Sequence, residues 1–342
     1  MSSPATALRA IVLVGGEGTR LRPLTLTRPK PMLPVAGVAM LERKLAHLAS
    51  HGVTDAVLSL GYRPDAFLRA FPEGIGAGVR LHYAVEPEPL DTAGAVRFAA
   101  EEAGYLDPER SGDGPIVVVN GDVLTEADLT AQIAFHRAVG AEATIALTQV
   151  DDPSAFGVVP TDADGRVVAF VEKPSREEAP TDWINAGVYV IEPSVLLRIP
   201  SGQRVSIERA TFPLIVADAA LFATHSPAYW IDAGIPSTYL QANLDALEGG
   251  TAFLHATASV APSARVEQSV IDARCVVGDG AVVIRSVLLP GASVGPGAHV
   301  VDSMVGEGAS IGPGAMLVGL TVVGDGVSVP ADAVLDDARV SA

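Results

Sequence analysis

Three glycines around one acid, followed by a threonine and two arginines, form the stretch of this chain best suited to handling phosphate. An apolar run, Ala10-Ile-Val-Leu-Val14, leads directly into Gly15-Gly16-Glu17-Gly18-Thr19-Arg20-Leu21-Arg22-Pro23 and on to Arg28-Pro29-Lys30-Pro31. Glycines there let the backbone turn sharply and bring its N–H groups against anionic oxygens with no side chain intervening. The ending is Gly-Thr-Arg, so this is no Walker A loop, and Leu21 stands where a dinucleotide fingerprint needs its last glycine. Between Arg9 and Lys30 lie five basic residues, Arg9, Arg20, Arg22, Arg28 and Lys30, against one acid, Glu17. Prolines on both sides of Lys30 hold the backbone extended and restrict the reach of its ammonium. Lys173, in Glu172-Lys173-Pro174, repeats the Lys-Pro arrangement; taken alone, either lysine reads as a solvated surface residue.

Two aspartates follow apolar runs. Ile116-Val-Val-Val-Asn120-Gly121-Asp122 reads as a strand ending in a carboxylate, at the edge where open parallel sheets bind ligands. A carboxylate beside phosphates calls for an intervening cation, and Mg2+, held by one or two carboxylates plus phosphate oxygens, suits it. Asp232, in Tyr229-Trp230-Ile231-Asp232-Ala233-Gly234, is the second candidate ligand, although by itself it reads as a turn or cap aspartate. The seven histidines show no ligand spacing, and Cys275 reads as a small buried hydrophobe.

The elements that position these residues alternate between strand and helix. Strands are expected at Ala10–Val14, Ala56–Leu60, Val79–Ala84, Ile116–Val119, Ala143–Val150, Val167–Val171 and Ile184–Val190. Helices are expected at Met40–Ser50, Ala93–Ala103, Asp128–Ala138, Ile207–Ala217 and Ser237–Leu247. Strands that are apolar throughout and separated by helices require a sheet covered on both faces, so residues 1–250 are expected to form a Rossmann-like, doubly wound α/β domain. Past Gly249-Gly250 the composition shifts to glycine, valine and alanine. Aliphatic residues recur every sixth position at Val305, Ile311, Leu317, Val323 and Val329, within blocks of 17 residues starting at Ser269, Ser286, Ser303 and Leu320. That period suits a solenoid of three short strands per coil, so residues 251–342 are expected to form a short left-handed parallel β-helix.

Composition limits the partners. The 342 residues carry 40 acidic and 23 basic side chains, a net charge of −17 that repels nucleic acid and anionic membranes. A single cysteine rules out an internal disulfide and fits a cytoplasmic protein. Met1–Ala10 does not read as a signal peptide, and glycine or proline interrupts every long uncharged run, so no membrane span is expected.

Taken in order, these motifs resemble the sugar-1-phosphate nucleotidylyltransferases, and most closely the mannose-1-phosphate guanylyltransferases, also called GDP-mannose pyrophosphorylases. The likeness extends over Leu90-Asp-Thr-Ala-Gly94, Asn120-Gly-Asp122, Phe156-Gly-Val158, Val171-Glu-Lys-Pro174, Ile184-Asn-Ala-Gly187, Ser206-Ile-Glu-Arg209, Trp230-Ile-Asp232 and the hexapeptide tail. It implies that Gly15, Gly16, Gly18 and Thr19 hold the nucleotide, with Asp91 and Gly94 in the base-binding loop. Arg20 and Lys30 would neutralise the triphosphate, and Asp122 and Asp232 would bind Mg2+. Gly157, Glu172 and Asn185 would contact sugar hydroxyls, and Lys173 the sugar phosphate. The implied reaction is in-line attack of a sugar 1-phosphate on the α-phosphorus of GTP, in which Arg20, Lys30 and Asp122 carry the catalysis.

One position departs from the pattern: Asp91 stands where the family usually has glycine. Its carboxylate could accept the guanine N1–H and N2–H pair, or it could cap the helix that follows. The departure leaves a cyclitol phosphate such as valienol 1-phosphate, or a glucose-1-phosphate adenylyl or thymidylyl transfer, as alternatives for the substrates. A non-catalytic regulatory subunit that binds sugar nucleotides is a further alternative, which the intact loop, lysines and aspartates do not favour. An acyltransferase role for the β-helix finds little support, since only His255 and His299 lie in it. Solenoid ends need covering, so a homo-oligomer with the β-helix as a contact surface is expected.

Overall fold

The computed structural model describes residues 8–107 and 114–341, so most of the Met1–Ala10 segment lies outside the described residues. The chain groups into two compact units. One contains the described residues up to Gly16 together with Glu42–Trp230, and the other contains Glu17–Leu41 together with Ile231 onward.

The first unit is built on a mixed sheet. Its centre is parallel: Leu8–Leu13 lies between Ile116–Asn120 and Val53–Leu60, which in turn pairs with Val79–Val85. Ala10, Ile11 and Val12 are all fully buried, as are Val117 and Val118, so both faces of these strands are covered. This is why the strands read as continuous apolar runs. Trp183–Ile191 joins antiparallel, beside both Ile116–Asn120 and Ala143–Gln149. The short strands Gly157–Val158 and Val171–Glu172 continue the sheet beyond it. Helices Met40–Ser50, Asp91–Glu102 and Leu129–Val139 connect the strands.

Two expectations for this unit need correction. The strand expected at Val167–Val171 shrinks to Val171–Glu172, while Val167 makes only an isolated bridge to Thr161. The helix at Ile207–Ala217 opens with a π-helical turn over Ile207–Thr211 before becoming α-helical at Phe212–Ala217. Elements not anticipated include the Pro64–Ala70 and Pro193–Leu197 helices and the Leu221–His225 strand, which pairs parallel with Ala143–Gln149.

In the second unit, residues from Phe253 on wind into a left-handed β-helix of three parallel sheets, with six, five and five strands. Coil spacing is 17 residues in the pairs Phe253↔Val270, Val270↔Val287 and Val287↔Met304. Between Met304 and Val322 it is 18. The expected block start at Leu320 is therefore displaced by one residue. Thr321 takes the place that Ser269, Ser286 and Ser303 hold in the earlier coils, and all four are fully buried. The period of six nonetheless finds the interior, because Val305, Ile311, Leu317, Val323 and Val329 are all buried. Cys275 is fully buried and desolvation raises its pKa to about 11, which makes it an inert small residue.

Candidate active site

In the first unit, the chain leaves the central strand with the Val14 N–H donating to Ser59 O (3.1 Å), and Gly15 O accepts the Tyr62 N–H (3.2 Å). Gly16, next along the chain, is exposed. A Cβ on Gly15 would come within 3.2 Å of the Glu86 carboxylate. Glu86 follows the Val79–Val85 strand, accepting from Ser59 Oγ at 3.0 Å and from the Leu90 N–H at 3.0 Å. It thereby ties the Val53–Leu60 strand to the Leu90-Asp91 loop. Sequence reasoning missed it; a lone acid just past a strand end was its only signal.

Asp91 opens the Asp91–Glu102 helix with φ +60°, a left-handed conformation that glycine adopts readily. Its Oδ1 accepts from the adjacent Thr92 N–H at 2.8 Å, and its Oδ2 lies 3.9 Å from Arg204 Nε. The carboxylate thus satisfies one N–H of the first turn and remains 38% exposed. Gly94 donates its N–H to Val205 O, and the Gln203 carbonyl comes so close that no Cβ would fit there.

Asp122 follows the Ile116–Asn120 strand through Gly121, whose N–H donates to Leu13 O at 2.9 Å. A Cβ on Gly121 would collide with Val14, so glycine is what lets this strand end close on the glycine loop. Lys44, from the Met40–Ser50 helix, is buried (2% exposed), and its Nζ has no hydrogen-bond partner. Desolvation pushes its pKa down to about 8, partly offset by the charge of Asp122.

Sugar-contacting candidates cluster at the far end of the sheet. Gly157 pairs with Glu172 and Val158 with Ile184, which sets Glu172 and Asn185 on the two strands that flank Gly157–Val158. The Lys173 N–H donates to Phe156 O at 3.0 Å, while its Nζ, on an exposed side chain, lies 3.6 Å from Glu172 Oε1. Asn185 donates to Tyr189 Oη and accepts from the Gly187 N–H, both at 2.9 Å. Burial raises the Tyr189 pKa and keeps it a neutral phenol. Trp230 donates from Nε1 to Ala186 O and packs edge-on against Phe156.

In the second unit, Gly18 sits at φ +63° and accepts from Thr25 Oγ1 at 2.8 Å. A Cβ there would also crowd the Lys30 stem, at 2.9 Å. Thr19–Leu21 forms a 3-10 turn that carries the exposed Arg20. Lys30 begins a second 3-10 turn, is 5% exposed, and lies 3.3 Å from Asp232 Oδ1. A Cβ on Gly234 would stand 2.7 Å from Asp232 Oδ1, 2.9 Å from Arg20 Nη2 and 3.1 Å from Lys30 Nζ. Two cationic heads and one carboxylate therefore converge around a residue that offers no side chain. Gly234 was another residue that sequence reasoning did not single out.

Among the described residues no three His, Cys, Asp or Glu side chains gather into a metal cage. Carboxylates offered singly suit a hard cation that keeps waters and takes phosphate oxygens, and do not suit a caged zinc. Asp232 already holds one cationic head. The donor set thus fits a magnesium-like ion.

The first unit is thus an α/β fold with a glycine loop at the end of its central strand, and in the second unit Arg20 and Lys30 gather around the Asp232 carboxylate. Residues 9–249 match the family model of nucleotidyl transferases, and residues 249–342 match the GMPPB C-terminal domain; the chain belongs to the nucleotidyl transferase family. It is 41% identical over 287 residues to a mannose-1-phosphate guanylyltransferase of Mycobacterium tuberculosis, covering 80% of this chain and 76% of that protein. A probable mannose-1-phosphate guanylyltransferase 3 of Oryza sativa is 39% identical over 294 residues, covering 80% and 79%. The crystal structure of HddC from Yersinia pseudotuberculosis complexed with GMP-PN superposes with a TM-score of 0.57 at 27% identity, over 70% of this chain and 99% of that one. No helix among the described residues is long and apolar enough to cross a membrane.

Proposed function

We propose that this protein is a sugar-1-phosphate guanylyltransferase, converting GTP and mannose 1-phosphate to GDP-mannose and pyrophosphate in the cytoplasm. The observation that carries the reading is the convergence of Arg20, Lys30 and Asp232 around Gly234, just downstream of the glycine loop. Similarity over most of the chain to mannose-1-phosphate guanylyltransferases supports the choice of substrates. The division of labour proposed is catalysis by residues 1–250 and a β-helix domain over 251–342.

In this reading the N–H groups of Gly15, Gly16, Gly18 and Thr19 meet the GTP phosphates, and Arg20 and Lys30 neutralise them. Asp91 faces the guanine donors. Gly94 acts by letting the 203–205 backbone close on the base loop. Gly157, Glu172 and Asn185 take the sugar hydroxyls, and Lys173 the sugar phosphate. A phosphate oxygen of the sugar 1-phosphate attacks the α-phosphorus as the bond to the β-phosphate oxygen breaks, releasing pyrophosphate. The nucleophile is already ionised, so positioning and charge neutralisation do the work and no general base is needed. The family generally uses a divalent metal. We assign it as Mg2+ held by Asp122 and Asp232, where it would offset charge on the reacting phosphates. We further propose a homo-oligomer with the β-helix as a contact surface, which light scattering after gel filtration would test.

The deciding experiment measures pyrophosphate release with Mg2+, crossing GTP, ATP, UTP and dTTP against mannose 1-phosphate, glucose 1-phosphate and a cyclitol 1-phosphate. Turnover confined to GTP with mannose 1-phosphate is the expected result. Turnover with GTP and only the cyclitol phosphate would replace the sugar. Silence in every combination would overturn the catalytic reading.

A further inference from the structure

We infer that Glu307 and Asp325, two carboxylates of the β-helix, are positioning residues for Lys30, acting through Arg28. The inference rests on the proposed role of Lys30 as a triphosphate ligand. Within the second unit, Arg28 Nη2 donates to Glu307 Oε2 and also to Asp325 Oδ2 at 3.1 Å. The neighbouring Thr27 hydroxyl donates to the same Asp325 oxygen. The other Asp325 oxygen accepts the Glu307 N–H at 2.7 Å, which locks the two acids together across adjacent coils. Only 19% of the Arg28 side chain and 11% of the Asp325 side chain are exposed. The segment from Pro23 to Lys30 also packs on the β-helix at its start, since a Cβ on Gly324 would come within 3.0 Å of Pro23.

The acids are not a feature of the repeat. Register pairs Ile271, Leu288, Val305 and Val323 in successive coils. Two residues beyond each stand Ala273, Pro290, Glu307 and Asp325. This corner is thus uncharged in two coils and acidic in the two that meet Arg28. From Arg28 the chain has little freedom before Lys30: Pro29 is fixed at φ −63°, ψ 146°, and Lys30 enters a 3-10 turn with Pro31 behind it. Fixing the Arg28 guanidinium therefore fixes the origin of the Lys30 side chain, which ends 3.3 Å from Asp232. Displacing a substrate-positioning group by about 1 Å costs on the order of 100-fold in rate.

The test compares wild type with the double variant E307Q/D325N, which keeps side-chain shape and removes both charges. The full chain is assayed for KM of GTP, KM of the sugar phosphate, kcat and Tm. We expect the double variant to raise KM for GTP by roughly 10-fold or more. The KM for the sugar phosphate and the Tm should stay near wild type. A wild-type KM for GTP in the double variant, in a preparation where Lys30→Ala is impaired, would overturn the inference. So would equal loss towards both substrates accompanied by a fall in Tm, which is what a purely structural contact would give. Should wild type itself fail to use GTP, the functional reading falls instead. Amide hydrogen exchange over residues 26–33 then decides the positioning claim: faster exchange in the double variant supports it and unchanged exchange overturns it.

Discussion

The Lys30 ammonium and the Asp232 carboxylate meet at 3.3 Å although 202 positions separate them in the chain, and Lys30 is the more deeply covered partner, with 6% of its side chain exposed against 28% for Asp232. The cation proposed to neutralise the triphosphate is thus already held by the carboxylate proposed to bind the metal. Removing either partner takes the opposite charge away from a group that is at least partly buried. In the proposed site, substrate phosphates would pair with Lys30 and the metal would pair with Asp232.

That relationship separates the two residues kinetically. Lys30→Met should lower kcat/KM for GTP by roughly 100- to 1,000-fold, the usual scale for losing one charge-stabilising group, with little change in the Mg2+ concentration required. Asp232→Asn and Asp122→Asn should instead raise the Mg2+ concentration giving half-maximal rate, and EDTA should abolish wild-type turnover. Steady-state pyrophosphate release over a Mg2+ titration reads both effects. Equal Mg2+ midpoints in wild type and the two Asn variants would remove the aspartates from the metal site.

Asp91 offers a second test at low structural risk. Its backbone sits at φ +60°, so Asp91→Gly relieves strain instead of adding it. If the carboxylate reads guanine, the preference for GTP over ATP should drop by about 10- to 100-fold, because adenine lacks the paired donors. An unchanged preference in a competition assay would leave the carboxylate with only the Thr92 N–H and the charge of Arg204 to serve.

Much of this architecture was legible because its signals are local. The turn at Gly15–Gly18, the apolar central strands and the six-residue aliphatic period each follow from neighbours in sequence. What escaped depends on distant closure. Gly234 matters because Arg20 and Lys30 arrive beside it from more than 200 residues away. Glu86 matters because Ser59 and Leu90 both bond to it. The strand expected at Val167–Val171 finds only partial partners, with the Val167 N–H donating to Leu221 O outside any ladder. The extra residue in one coil is absorbed where Gly319 and Leu320 both take positive φ, a local loop that a count of aliphatic spacings does not detect.

Stacked serines at one corner of the β-helix make a third prediction. Ser286 Oγ donates to Ile284 O at 2.7 Å and accepts the Ser303 N–H at 3.1 Å, and Ser269 does the same one coil earlier. Ser286→Ala leaves the buried Ser303 N–H without its acceptor, which should cost about 1–3 kcal/mol. Ser310→Ala, at a partly exposed serine paired with Ser328, should stay within about 0.5 kcal/mol and serves as the control. Urea unfolding followed by circular dichroism measures both, and equal costs would mean that the ladder contributes nothing special.

Lys44 makes stability depend on pH in a direction that can be worked out. Burial lowers its pKa from 10.5 to about 8, with Asp122 opposing the shift in part. Between those values the unfolded chain binds the proton and the folded chain does not, so stability rises with pH across that window. Below about pH 8 both states are protonated, and the folded protein bears the full cost of a buried charge. A shift of this size corresponds to about 3 kcal/mol. Replacing Lys44 with methionine, which has similar length and no charge, should therefore stabilise the protein most at pH 7 and progressively less towards pH 10. Buried tyrosines titrate in the same alkaline range: Tyr105 and Tyr239 are raised by desolvation, so their stabilising effect is lost as the unfolded chain ionises above pH 10. That contribution cancels when wild type and Lys44→Met are compared at each pH. Urea-unfolding free energies at pH 7, 8, 9 and 10 give the difference directly. A gap that does not narrow with rising pH would mean that burial does not lower the Lys44 pKa.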